Sequence, residues 1–149
     1  MSGRADVDHS VFGCRVLQDK FASAGPLAGI ERALGATASP LLLVLAVDLP
    51  DMNAEFVRQL STYRKQNAGA VPRIAGKLEP LAAFYPKMAQ SLAAAFLFEN
   101  SNGVKNFAEA ANKTNWSRWL IFTNHADVYL RIATRQANFL LPQDNLLLY

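Results

Sequence analysis

The arrangement of apolar and polar stretches along the chain is typical of an α/β protein. Residues 41–47 form an uninterrupted apolar run between two prolines, which is too short for a free-standing helix. The run therefore predicts a strand that is buried on both faces. Before it, Pro26 suits the first position of a helix, and Gly35 suits the residue after its end. After it, Asn53 can cap a second helix. The apolar stripe of that helix consists of Phe56, Val57, Leu60 and Tyr63.

The same reasoning extends to the remainder of the chain. It predicts strands at 12–17, 70–72, 81–85 and 116–123, and helices at 88–98, 104–111 and 127–136. Strands that alternate with helices predict a three-layer α/β/α sandwich with a Rossmann-like, mostly parallel sheet. We expect a single domain over residues 1–149, with 1–10 as a flexible lead-in and 137–149 as a leucine-containing tail.

Composition narrows the class of protein. Of the 149 residues, 51% are hydrophobic and 18% are charged, which is usual for a globular domain. A net charge of +3 weakly favours an anionic ligand, but the basic residues are scattered, so we expect no binding of nucleic acid. Cys14 is the only cysteine, which fits a reducing, cytoplasmic compartment. The apolar runs are too short to cross a membrane, and the first ten residues do not resemble a secretory signal.

Two segments could carry phosphate chemistry. Residues 25–29, Gly-Pro-Leu-Ala-Gly, form a turn that runs into a helix, and main-chain N–H groups at a helix start bind phosphate oxygens. Asp48 follows the buried strand, where one carboxylate is enough to hold Mg²⁺ beside substrate phosphates. In an open α/β sheet both segments reach the same edge. The structural alternatives are a plain loop-to-helix turn at 25–29 and an Asp48 that only caps the next helix.

Five segments, taken in order, resemble the molybdenum cofactor guanylyltransferase family of nucleotidyltransferases. They are Gly-Pro-Leu-Ala-Gly-Ile at 25–30, Leu-Val-Leu-Ala-Val-Asp-Leu-Pro at 43–50, Val-Pro-Arg at 71–73, Glu-Pro-Leu-Ala-Ala-Phe-Tyr at 79–85 and Phe-Thr-Asn at 122–124. The resemblance runs from about residue 16 to about residue 128. It implies a Mg²⁺-dependent transfer of GMP from GTP to the molybdopterin cofactor, with release of pyrophosphate.

The resemblance also implies roles for individual residues. Asp48 would be the catalytic, metal-binding carboxylate. The nucleotide would lie against the turn, and the pterin would lie on the side of two later segments. The nucleotide-side residues are Gly25, Pro26, Leu27, Ala28 and Gly29, and the pterin-side residues are Glu79, Pro80 and Asn124.

The chain departs from the family pattern at two places. Family members open with a strand and a glycine-rich loop of the form Leu-Ala-Gly-Gly-x-Ser-x-Arg-Met-Gly, whereas residues 1–10 read Met-Ser-Gly-Arg-Ala-Asp-Val-Asp-His-Ser. The late motif is shortened to Phe-Thr-Asn-His-Ala-Asp at 122–127. We therefore expect an N-terminally truncated domain. Two alternatives stay open: a non-catalytic interaction module whose exposed sheet edge binds a protein partner or a second copy, and a nucleotidyltransferase that uses another nucleotide, such as CTP, or a sugar phosphate.

Overall fold

Between residues 26 and 122, the described helices and strands follow one another in the predicted order, with one additional short strand at Lys77–Leu78. The computed structural model describes residues 2–3, 16–18, 24–46, 53–63, 68–74, 76–114, 117–122 and 146–148. Within these ranges the elements are β1 (Ser2–Gly3), β2 (Leu17–Gln18), α1 (Pro26–Ala36), β3 (Leu41–Leu45), α2 (Ala54–Tyr63), β4 (Gly69–Ile74), β5 (Lys77–Leu78), β6 (Ala82–Pro86), a 3₁₀ turn (Lys87–Ala89), α3 (Gln90–Phe98), α4 (Val104–Lys113), β7 (Ser117–Phe122) and β8 (Leu146–Leu148).

Six of the described strands form the main sheet, in which β6 lies between β3 and β4. Strand β6 is antiparallel to both neighbours, and β5 is antiparallel to β4. Strand β8 is parallel to β3, and β7 is parallel to β4. Three of the five pairings are thus antiparallel, so the prediction of a mostly parallel sheet is wrong, while the α/β class is confirmed. The physical reason is the short connection after β4, since a hairpin return produces antiparallel neighbours.

The directions of the strands bring several chain ends to one edge of the sheet. Because β3 and β4 both run opposite to β6, they point the same way, and their parallel partners β8 and β7 do so too. The C-terminal ends of β3, β4, β7 and β8 and the start of β6 therefore lie together. We call this side of the sheet the carboxyl edge.

The sheet is covered by helices on both faces, which confirms the three layers. Strand residues alternate between two apolar clusters, as a pleated strand requires. On one face, the strand residues Leu42, Val44, Val71, Ala83 and Tyr85 share a cluster with residues of α1, α3 and α4. On the other face, Leu43, Leu45, Ala70, Ile74, Ala82 and Phe84 pack with Phe56, Val57 and Leu60 of α2. All five residues of β3 are buried, as the apolar run predicted.

Two helix boundaries show where local patterns succeeded and where they did not. Helix α1 begins at Pro26 as predicted, but it continues through Gly35 to Ala36. Helix α2 is capped by Asn53, whose Oδ1 accepts a hydrogen bond from the N–H of Phe56 at 3.0 Å. Tyr63, the last residue of α2, is 49% exposed, so the predicted apolar stripe ends one turn earlier.

The two chain ends also contribute short strands. Ser2–Gly3, inside the predicted lead-in, pair in parallel with Leu17–Gln18 beside α1. Leu146–Leu148, inside the predicted tail, pair with Leu43–Leu45. This stretch of β3 is therefore not an open edge. The predicted helix at 127–136 lies outside the described residues, and among the helices that are described none has the length and apolar character needed to cross a membrane.

Candidate functional site

The turn at Gly25–Gly29 has a backbone that favours glycine at its first position. Gly25 is the N-cap of α1 and has a φ of 67°, in the left-handed region that residues with a Cβ rarely adopt. Its carbonyl oxygen accepts a hydrogen bond from the N–H of Ala28 at 3.1 Å. Gly25 and Pro26 are exposed, whereas Leu27, Ala28 and Gly29 are buried. The start of α1 thus presents main-chain atoms to solvent while its side chains anchor it in the core.

The Glu79–Pro80 segment forms a firmly held turn before β6. The N–H of Glu79 donates to the carbonyl oxygen of Pro72 at 3.0 Å, and the N–H of Ala82 donates to the carbonyl oxygen of Glu79 at 3.2 Å. The hydroxyl group of Tyr85 donates to the carbonyl oxygen of Pro80 at 2.9 Å in the core. Pro80 is buried and Glu79 is half-buried. The turn is therefore part of the fold and not a loosely attached hairpin loop.

One hydrogen bond joins this turn to the end of β3. The N–H of Ala46 donates to the carbonyl oxygen of Leu81 at 2.8 Å. Asp48 follows Ala46 by two residues, and two peptide links reach at most about 7 Å. Asp48 itself lies outside the described residues, so its metal-binding role stays a prediction.

The start of α1 reaches the same edge for geometric reasons. The 11 residues of α1 span about 16 Å, and the five residues of β3 span about 17 Å. Only residues 37–40 connect them, so the strand runs back along the helix. Leu27, Ala28 and Leu78 belong to one apolar cluster, and the partly buried Leu81 packs against it. The nucleotide-side turn and the pterin-side turn therefore lie at one end of the domain.

Asn124 cannot be placed in the same way. It lies outside the described residues, and it follows Phe122, the last residue of β7, by two positions. Because β7 is parallel to β4, its end belongs to the carboxyl edge. Within the described ranges, no group of three or more His, Cys, Asp or Glu side chains is arranged to hold a metal ion.

Two basic residues lie at the carboxyl edge, and neither was assigned a role in the site from the sequence. Arg73 lies near the end of β4, and its Nη1 donates to the carbonyl oxygen of Gly76 at 2.7 Å. Lys77 is exposed at the start of β5. Both sit in the hairpin next to Glu79, so their charges would act on an anion bound there. The sequence did contain a signal for Arg73, because a charged residue near the end of an apolar strand indicates that the strand ends at a polar edge of the sheet.

Lys87 belongs to the opposite end of α1. Its Nζ donates a hydrogen bond to the carbonyl oxygen of Thr37 at 2.7 Å. Its main-chain N–H donates to the carbonyl oxygen of Pro40 at 2.9 Å. Thr37 is the C-cap of α1, where a cation is favourable because main-chain carbonyl groups point outward. This lysine therefore stabilises the helix end and is remote from the candidate site.

Comparisons with known proteins agree with this architecture. Residues 1–115 match the model of the MobA-like NTP transferase domain family. A protein of Opitutus terrae named as a probable molybdenum cofactor guanylyltransferase is 37% identical over 110 residues, which is 72% of this chain and 54% of that protein. A protein of Clostridium perfringens SM101 with the same name is 34% identical over 95 residues, 64% of this chain and 48% of the relative.

Two further comparisons concern another curated relative and the fold. A molybdenum cofactor guanylyltransferase of Shewanella sediminis is 36% identical over 80 residues, 52% of this chain and 41% of that protein. A crystal structure from Aquifex aeolicus VF5 superposes with a TM-score of 0.67 at 20% identity, over 81% of this chain and 62% of that one. The structural likeness supports the fold alone. The chain spans about half the length of the curated relatives that it matches.

Proposed function

The chain belongs to the MobA-like NTP transferase domain family, and on that premise we propose that it transfers GMP from GTP to the molybdopterin cofactor. The single observation that carries this proposal is the hydrogen bond between Ala46 and Leu81. It joins the strand that leads to Asp48 with the turn that contains Glu79 and Pro80. The relatives named as guanylyltransferases support GTP and molybdopterin as the substrates.

Each part of the carboxyl edge has a role in this proposal. The main chain at Gly25–Gly29 orients the phosphates of GTP, because N–H groups at a helix start attract anionic oxygens. Glu79, Pro80 and Asn124 position the pterin. Arg73 and Lys77 add positive charge beside the reacting phosphates. Such positioning and electrostatic stabilisation are the main sources of rate enhancement in phosphoryl transfer.

The proposed step is an in-line displacement at phosphorus. An oxygen of the cofactor's terminal phosphate attacks the α-phosphorus of GTP, the bond from that phosphorus to the bridging oxygen breaks, and pyrophosphate leaves with the electron pair. Asp48 would hold Mg²⁺, whose binding in such sites needs only one or two protein carboxylates besides phosphate oxygens. The bound ion neutralises negative charge on the phosphates.

Calorimetric titration tests the nucleotide half of this proposal. We expect GTP to bind more tightly than CTP, and only in the presence of Mg²⁺. The Asp48→Ala variant should lose this binding. Glu109→Ala, which removes an exposed carboxylate from α4, is the matched control and should bind as the wild type does. Unchanged Mg²⁺-dependent binding in Asp48→Ala would remove that residue from the site.

Two other outcomes distinguish the alternatives. Tighter binding of CTP would identify a related nucleotidyltransferase with different base specificity. If neither nucleotide binds, the non-catalytic interaction module is favoured, and sedimentation of the purified chain would then test for self-association. The cytoplasmic location that the lone Cys14 favours is part of the same proposal.

A further inference from the structure

Helix α1 carries a buried polar contact that the proposed reaction does not use. Glu31, two residues after the Gly25–Gly29 turn, is 4% exposed. Its Oε1 accepts a hydrogen bond from Nε2 of Gln90, the first residue of α3, at 3.0 Å. Its Oε2 is buried and has no hydrogen-bond partner among the described residues. Burying a polar group without a full set of partners costs free energy, so this contact is a poor source of stability.

Gly35 makes room for the same contact. A Cβ at this position would lie 2.8 Å from Nε2 and 3.3 Å from Cδ of Gln90. The amide group of Gln90 therefore lies across α1 where residue 35 has no side chain. Glycine inside a helix costs about 1 kcal/mol relative to alanine, so both Gly35 and Glu31 are unfavourable choices for stability alone. Together they allow one specific contact between α1 and α3.

We propose that Glu31 is a positioning residue that fixes the placement of the Gly25–Gly29 turn through its hydrogen bond with Gln90. Residues 31 and 35 lie one helical turn apart on the same face of α1, and Gln90 contacts both. This contact sets the rotation of α1 about its axis and its position along α3. Because α1 is an uninterrupted helix from Pro26, a rotation at Glu31 displaces its first turn.

The anchoring of α3 supports this assignment. Gln90 directly follows the 3₁₀ turn whose Lys87 binds the main chain at Thr37 and Pro40. These hydrogen bonds hold the start of α3 against the C-terminal end of α1. The hydrogen bond from Gln90 to Glu31 is a second contact between the two helices, and it lies closer to the nucleotide-side turn. Without this second bond, the first turns of α1 are held by apolar packing, which is non-directional and restricts rotation less than a hydrogen bond does.

The expected effect on GTP binding rests on the proposed function, so one part of the experiment is a measurement that does not need GTP. Amide hydrogen exchange of Ala28, which donates to Gly25, reports on the first turn of α1. The amide of Val57, which donates to Asn53, reports on the first turn of α2 in the opposite layer. The ratio of the two exchange rates separates a local change in α1 from a loss of overall stability.

Gly35→Ala is the decisive variant because it should favour the helix and at the same time disturb the contact that positions α1. Alanine strengthens the helix, but its methyl group displaces the Gln90 amide. We expect Ala28 to exchange about fivefold faster relative to Val57, a factor that corresponds to the net contribution of one hydrogen bond, although the unfolding midpoint is unchanged or raised. In protein that binds GTP, the affinity should fall by about the same factor, with a larger effect on KM than on kcat.

Two substitutions at Glu31 provide the matched comparison. Glu31→Leu removes the acceptor and should accelerate exchange at Ala28 in the same selective way. Glu31→Gln keeps an oxygen that can accept from Gln90 and should restore the wild-type ratio.

Equal acceleration at Ala28 and Val57, or an unchanged ratio in both Gly35→Ala and Glu31→Leu, overturns the proposal. If wild-type protein binds no GTP, the proposed function fails, and the exchange ratio still decides whether Glu31 positions α1. If Glu31→Leu does not fold, Gly35→Ala alone decides it.

Discussion

The hydroxyl group of Tyr85 donates a hydrogen bond to the carbonyl oxygen of Pro80 across a distance of 2.9 Å inside the core. Tyr85 is fully buried and its ring lies 5.2 Å from that of Phe107 in α4. A side chain of the central strand β6 therefore holds the turn that precedes the same strand. The pterin-side segment is thus coupled to the packing of the core.

Replacing Tyr85 with phenylalanine should lower stability without a large change in packing. The variant leaves the buried carbonyl oxygen of Pro80 without its partner, which costs about 1–2 kcal/mol. Urea denaturation measures this as a lower midpoint with an unchanged slope. Tyr63→Phe is the control. Tyr63 is half exposed, so the loss of its hydroxyl group should cost less than about 0.5 kcal/mol. Equal losses in both variants would show that the bond to Pro80 contributes nothing.

The same tyrosine predicts a dependence of stability on alkaline pH. Burial raises the pKa of Tyr85 above its ordinary value of 10.0. Above pH 10 the unfolded chain has lost this proton while the folded protein keeps it, so unfolding releases a proton. The contribution to stability is complete below about pH 10 and declines as the pH rises further. Urea midpoints between pH 9 and pH 11 should fall more steeply for the wild type than for Tyr85→Phe, and parallel curves would contradict this assignment.

Gly69 allows β4 and β6 to approach each other closely. A Cβ at this position would overlap the carbonyl oxygen of Phe84, which is main chain and cannot move aside. We expect Gly69→Ala to lower the free energy of unfolding by about 2–3 kcal/mol or more. Gly76→Ala is the matched control, since the space there is open and the cost arises from a φ of 80° alone. That cost should be about 1–2 kcal/mol. A smaller loss for Gly69→Ala than for Gly76→Ala would contradict the close approach.

Lys87 should stabilise the C-terminal end of α1 through charge as well as hydrogen bonding. Lys87→Met keeps most of the side-chain length but removes the ammonium group that binds the carbonyl oxygen of Thr37. We expect a loss of about 0.5–1 kcal/mol that shrinks in high salt. Thermal unfolding at two ionic strengths measures it. Lys105→Met also removes one positive charge, but from the first turn of α4, where a cation is unfavourable, so we expect no loss of stability there. No difference between the two variants would rule out the capping role.

The candidate site was predictable in part, because its segments carry local signals. The glycine and proline at 25–26 mark a helix start, and the apolar run at 41–47 marks a buried strand whose end faces a polar edge. The contact between Ala46 and Leu81 joins residues that are 35 positions apart, and no periodicity within either segment encodes it. Arg73 and Lys77 received no site role from the sequence for the same reason, since the closeness of Arg73 to the turn at Glu79 depends on the hairpin pairing.

The sequence by itself determined that Pro26–Ala36 and Ala54–Tyr63 become helices, that Leu41–Leu45 becomes a strand buried on both faces, and which family the motifs resemble. These properties depend on side chains close together in the chain, as the cap at Asn53 and the apolar strand at Leu41–Leu45 show. The tertiary structure alone decided the order of the strands: β6 lies antiparallel between β3 and β4, and Leu146–Leu148 pairs beside β3. It also placed Gly35 inside α1, beneath the Gln90 amide. Such arrangements result from contacts between segments that are distant in the sequence, and these contacts form only as the chain folds.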